Sequence, residues 1–178
     1  MKLSLKLLTI VTLLSTLLSA EMKCAPGKCG SSMSSKAKQN VKLLYKGNHT
    51  HEAIDIKANT YSCAKCKMHV NVLEYATQAI KKNGDTYFFD DIGCMLLWLE
   101  KNSEEIVASY VMTLDTHKWI KAEQAYYSRI APSPMGYGFG AVEASKTNLI
   151  SYDAMKTFML KGETLRNPMV KKSLLSES

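Results

Sequence analysis

The sequence predicts an α+β protein of two small, similar strand–strand–helix–strand units, and three observations carry that expectation. The pair Asn83-Gly84 lies between two apolar runs, Thr77-Gln78-Ala79-Ile80 and Thr86-Tyr87-Phe88-Phe89, and Asn-Gly in that setting is a strong hairpin signal. Directly after it, Ile92, Met95, Leu96 and Leu99 recur at helical spacing. The same order of patterns then returns about sixty residues later, which marks a weak internal repeat.

The elements follow in chain order. Residues 1–20 read as an export leader. Lys2 and Lys6 open it, an apolar run from Leu7 to Leu18 follows, and Leu18-Ser19-Ala20 ends it on a small residue. The run is about a dozen residues, short of the roughly 20 that span a bilayer, so cleavage before Glu21 and a periplasmic or secreted location are expected. A lipid anchor on Cys24 is disfavoured, because Lys23 stands where such a site needs a small residue.

Residues 21–40 read as a flexible tail, with Gly27, Gly30, Ser31, Ser32, Ser34 and Ser35 and no apolar period. The globular part is expected over 41–165, with its repeat at about 56–115 and 116–165. In the first copy Asp90 stands where a helix cap belongs, and Ile106–Met112 reads as the closing strand. In the second copy Phe139–Glu143 and Thr147–Ile150 are expected to pair as a hairpin. Ser151 takes the cap position, and Ala154, Met155, Phe158 and Met159 supply the helical stripe. Around Trp119–Tyr126 the pattern fits a further strand or a helical segment. Residues 166–178 read as a loose end.

Charge narrows the partners. The chain carries 23 basic and 16 acidic residues, a net charge of +7. The leader holds two of those lysines and no acid, so the remainder is mildly basic. Its lysines are scattered without aromatic interleaving, which argues against nucleic acid. Weak association with an anionic membrane surface or an acidic partner fits; an integral span does not. No Ser/His/Asp grouping, phosphate-cradling loop or dinucleotide fingerprint is present, and Asp90-Asp91 is accounted for as a helix cap. The chain reads as a binding protein rather than an enzyme.

Sulfur carries the chemistry. Cys63-Ala64-Lys65-Cys66-Lys67-Met68-His69 places two thiols, a thioether and an imidazole in seven positions. Soft donors of this kind select copper(I) over hard cations. Met68 adds a neutral ligand whose affinity does not depend on losing a proton. The same pair also fits a thioredoxin-type redox disulfide, half of a zinc site completed by Cys24 and Cys29, or a structural disulfide. Cys94, beside Leu97 and Trp98 on the apolar helix, is expected to be a small core hydrophobe outside the site. His49, His51 and His117 stand in polar surroundings and are weak candidates.

Cys63–Met68 resembles the C-x2-C-x-M segment of the NosL family of nitrous oxide reductase accessory proteins. Tyr75-Ala76-Thr77-Gln78-Ala79-Ile80, Phe89-Asp90-Asp91-Ile92-Gly93-Cys94 and the stretch from Trp119-Ile120-Lys121-Ala122 to Ala125-Tyr126 are similar to that family's segments. Pro134-Met135-Gly136 resembles its second hallmark, and the likeness runs from about Ile56 to Phe158 in family order. The resemblance implies a duplicated fold of the NosL/MerB type, copper(I) as cargo, and delivery to a recipient cuproenzyme, nitrous oxide reductase or its assembly proteins, in denitrification. It implies Cys66 and Met68 as the leading ligands, Met135 next, and Cys63 and His69 as further donors. Two features depart from the pattern: there is no convincing lipidation cysteine, and an extra Cys24–Cys29 tail segment with Met22 and Met33 is suited to capturing a metal or closing a small disulfide. Beside copper delivery stand two alternatives, a thiol–disulfide exchange protein using Cys63 and Cys66, and a copper storage or detoxification binder.

Overall fold

A computed structural model describes residues 41–176 except 145 and 147. The leader, the tail and both tail cysteines, Cys24 and Cys29, lie outside the described residues. The fold is α+β. In chain order it comprises β1 (Thr77–Lys81), β2 (Thr86–Phe89), α1 (Ile92–Leu99), β3 (Ile106–Met112), β4 (Trp119–Lys121), β5 (Tyr126–Ser128), β6 (Gly140–Val142), α2 (Tyr152–Leu160) and α3 (Pro168–Ser176). None of the described helices is long and apolar enough to cross a membrane.

The first hairpin forms as its turn chemistry dictates. β1 and β2 pair antiparallel, Thr77 opposite Phe89 and Ile80 opposite Thr86, and Gly84 takes φ +85° at the turn. A Cβ on Gly84 would meet the Asn48 backbone nitrogen at 3.0 Å, so both the backbone angle and the neighbouring chain at Asn48 favour glycine. β3 adds to the other edge of β1 and β4 to β3, giving the antiparallel order β2-β1-β3-β4.

The second unit departs from the expected pattern. Tyr126–Ser128 is a strand and takes the central place, pairing with Gly140–Val142 on one side and bridging from Tyr127 to Ile150 on the other. Phe139–Glu143 therefore pairs with β5 rather than with the Thr147–Ile150 stretch. Among the described residues no strand follows α2; the chain continues into α3, a helix where the sequence suggests a loose end. Both helices keep the expected stripes, with Met95 and Leu96 on α1 and Met155 and Met159 on α2 buried.

The helix cap falls one residue later than expected. Asp91 is the N-cap of α1 and accepts the Gly93 N–H at 2.9 Å. Asp90 is thereby released from the capping role and stays buried at the end of β2. Tyr127, Phe88, Phe89, Phe139, Met95 and Met155 form the centre of the core between the sheets and the two helices.

Candidate metal centre

The Cys63–Met68 segment folds back on itself as a knuckle. Ser62 and His69 form an antiparallel bridge, Cys63 N–H donates to the Met68 carbonyl at 2.7 Å, and Lys67 N–H donates to the Cys63 carbonyl at 3.0 Å. Lys67 closes the turn with φ +68°, a left-handed conformation that residues with a Cβ seldom adopt. That turn points backbone donors at sulfur. Cys66 N–H lies 3.5 Å from the Cys63 sulfur, Asp90 N–H also faces Cys63, and Met68 N–H faces Cys66. Hydrogen bonds to the charged form of an acid favour that form, so the backbone donors around Cys63 favour its thiolate.

The knuckle is docked on the end of β2, where Ala64 N–H donates to the Phe88 carbonyl at 2.9 Å. β2 then runs through Asp90 and Asp91 into α1, whose first turn carries Cys94. The result is a compact group: the sulfurs of Cys63, Cys66 and Cys94 and a carboxylate oxygen of Asp90 all lie within 4.8 Å of one another. All three cysteines are free thiols. Cys63 and Cys94 are fully buried, whereas Cys66 is partly open to solvent.

Protons are unevenly held in this group. A hydrogen bond from Cys94, opposed by burial and aided by the backbone donors of Cys66 and Asp90, lowers the Cys63 thiol to about 7. Burial, with the neighbouring Cys63 and Asp90 charges, pushes Cys66 up to about 12. The same hydrogen bond to Cys63, together with burial, drives Cys94 far above the usual thiol range. Cys66 donates its S–H to the two Asp90 oxygens at 3.4 and 3.5 Å. Cys63 is therefore the first of the three thiols to ionise, and Cys66 and Cys94 keep their protons to higher pH.

A second loop closes over α1. The Asp91 carboxylate accepts Met135 N–H at 3.1 Å as well as its own cap bond, and Ser133 also donates to it. Burial raises the Asp91 carboxyl all the same. A Cβ on Gly93 would run into the Tyr137 ring and lie 2.9 Å from the Met159 methyl. The Pro134-Met135-Gly136 turn thus sits on the N-terminus of the helix that carries Cys94.

The structure brings Cys63 and Cys66 together with Cys94, which the sequence reading leaves in the core. Cys94 is buried as expected, 1 % exposed, but its sulfur faces the other two thiols rather than apolar neighbours alone. Asp90 joins them. Met68 stands at the knuckle surface, 52 % exposed. His69 is exposed and lies outside the group. Met135 is partly buried, tied to the site through its backbone bond to Asp91. Its place at the start of the helix is the signal that could have found Cys94. With Asp91 as cap, Cys94 falls in the first turn, at the β2 end of the helix where the knuckle docks.

Three free thiols and a carboxylate at this spacing can hold a soft metal ion. Thiolates suit copper(I) and zinc alike, while a carboxylate oxygen suits zinc better than copper(I). No family model matches the chain, and no curated protein matches it in sequence. Among solved structures it is similar to the crystal structure of the copper chaperone NosL from Shewanella denitrificans, with a TM-score of 0.47 and 15% identity over 62% of this chain and 87% of that one.

Proposed function

We propose that this chain is a periplasmic copper(I)-binding accessory protein that holds its ion on Cys63, Cys66 and Cys94 and passes it to a recipient cuproenzyme. The observation that carries the reading is the gathering of three free thiols within 4.8 Å, two of them from the knuckle and one from α1. Three sulfurs suit a soft monovalent ion. Asp90 accepts the Cys66 S–H, whose proton a metal displaces on binding. The resemblance of the knuckle and Pro134-Met135-Gly136 motifs to the NosL family is the support for nitrous oxide reductase as recipient.

Transfer then proceeds by ligand exchange. Cys66 is the most open of the three thiols and Met68 lies exposed two residues on. A recipient's donor enters on that side before Cys63 and Cys94, deeper in the fold, release the ion. A thiol–disulfide exchange reading draws on the lowered Cys63 thiol, but the nucleophile of such a protein must be reached by a partner's disulfide, and Cys63 is fully buried.

The test is an anaerobic copper(I) titration of the reduced protein against a competing chromophoric chelator, with zinc in parallel. One copper(I) bound tightly at this site, lost in Cys66→Ser and Cys94→Ser, is the expected result. Zinc bound in preference to copper(I), or copper retained after both substitutions, overturns the assignment.

A further inference from the structure

The surface around the knuckle has a composition of its own. From Ile56 to Leu73 the sequence holds Lys57, Lys65 and Lys67 and not one carboxylate, and Val41–His51 adds further lysines, again with no acid. The backbone brings these stretches side by side. Lys42 N–H donates to the Thr60 carbonyl at 2.9 Å and Ser62 N–H to the Lys42 carbonyl at 2.9 Å. On the far side, Asn59 N–H donates to the Val70 carbonyl at 2.8 Å and Val70 N–H to the Tyr61 carbonyl at 2.9 Å. Lys42, Lys57, Lys65 and Lys67 are all exposed. Among the described residues none of the four forms an ion pair; Lys67 Nζ is held by the Ala64 carbonyl at 2.8 Å.

Apolar surface is exposed on the same segments. Leu43 is 65 % exposed and Met68 52 %. Exposed apolar side chains set among lysines suit an association surface. Its position is informative, since the opening at Cys66 lies within it.

From this juxtaposition we infer that the Lys42, Lys57, Lys65 and Lys67 face is a docking surface for an acidic polypeptide carrying its own soft-metal ligands, which takes the ion across Cys66. The inference rests on the copper(I) reading above for its cargo, but the face itself does not depend on the metal. Charge complementarity steers such a partner to the opening and fixes its orientation there. A lipid surface meets the charge requirement equally, yet it carries no ligand to which the ion can be passed.

The experiment uses two synthetic peptides with one shared Cys-x-x-Cys motif, flanked by glutamates in one and by lysines in the other. The copper(I)-loaded protein is mixed anaerobically with each, and the rate of copper transfer is followed at low and high salt. The acidic peptide is expected to be faster by roughly tenfold or more at low salt, with the advantage collapsing at high salt as exposed charges are screened. The combined variant Lys42→Glu, Lys57→Glu, Lys65→Glu should reverse the preference. Lys42→Glu with Lys57→Glu alone, which leaves the knuckle intact, should shift the rates in the same direction while copper(I) affinity in chelator competition stays unchanged.

Equal rates for the two peptides, or rates indifferent to charge reversal, overturn the inference. Sedimentation with vesicles of phosphatidylglycerol and phosphatidylcholine, without any preference for the acidic peptide, assigns the face to lipid and overturns it too. A titration of the metal-free protein with the acidic peptide, read from the Lys65–His69 amide resonances, separates the two claims. Saturable shifts there in a protein that fails to bind copper uphold the docking face and sink the metal reading.

Discussion

The Asp91 carboxylate accepts the backbone N–H of Met135 at 3.1 Å across 44 residues of chain, and on its other oxygen it caps α1 through Gly93 at 2.9 Å. One buried side chain therefore fixes the helix that carries Cys94 and the turn that lies upon it. Asp91→Ala removes both bonds and leaves two N–H groups without their partner. A cap is worth about 1 kcal/mol and a hydrogen bond to a charged group about 1.5–3, so urea unfolding should show a loss of roughly 2–4 kcal/mol. Asp91→Asn keeps an acceptor and should lose less. Equal stability of Asp91→Ala and the parent would show that the cap and the turn are held by other contacts.

The donor set is tested by comparing single substitutions in copper(I) competition. Second-sphere changes at metal sites weaken binding by roughly 10–100-fold, and loss of a ligand should weaken it at least as much. Cys63→Ser, Cys66→Ser and Cys94→Ser should all fall in that class. His69→Ala, outside the sulfur group, should bind as the parent does. Cys94→Ser is the discriminating variant: a binding curve equal to the parent's would return Cys94 to the core and leave a two-thiol site.

Much of the first unit was legible in the residues. The Asn83-Gly84 turn, the runs on either side and the Ile92–Leu99 stripe each have a local cause, and β1, β2 and α1 follow from them. The second unit was less so. Nothing in the spacing of Phe139–Glu143 and Thr147–Ile150 tells that Tyr126–Ser128 will stand between them, because pairing across that distance is decided by packing, with Tyr127 wholly buried. The knuckle cysteines announce themselves by proximity in sequence. Cys94 and Asp90 reach them only through the docking of Ala64 on β2, and an apolar helix gives a cysteine no outward mark of a ligand. The cap reading hid Asp90, and the apolar setting of α1 hid Cys94.

The closeness of the Tyr137 loop to α1 predicts an intolerant glycine. Gly93 has ordinary helical surroundings, where alanine would normally be favoured by up to about 1 kcal/mol. Here the added Cβ meets the Tyr137 ring and the Met159 methyl, and overpacking of this kind costs typically 1–3 kcal/mol. Gly93→Ala should therefore lower the urea midpoint despite its better helix propensity, and thermal unfolding followed by circular dichroism should agree. A gain in stability would mean that the loop moves aside without cost, and with it that the Met135 turn is not rigidly seated.

The thiols predict a stability maximum in the pH profile of the reduced, metal-free protein. Cys63 ionises at about 7 in the fold against an ordinary thiol value of 8.5 or so in the unfolded chain. Between those values the unfolded state binds more protons, so stability rises with pH. Above the ordinary thiol range the sign reverses. The unfolded chain loses the protons of Cys66 and Cys94, while the fold holds that of Cys66 to about 12 and that of Cys94 higher still. Stability should climb from neutral pH to about 8.5 and decline beyond it, read from urea midpoints under reducing, chelator-treated conditions. Cys63→Ser should remove the rising limb and keep the decline. Cys94→Ala withdraws the hydrogen bond that lowers Cys63, so thiolate absorbance in the ultraviolet should then develop at higher pH than in the parent. A profile that is flat through neutral pH, with no early thiolate, would contradict the Cys94–Cys63 hydrogen bond on which the order of proton loss depends.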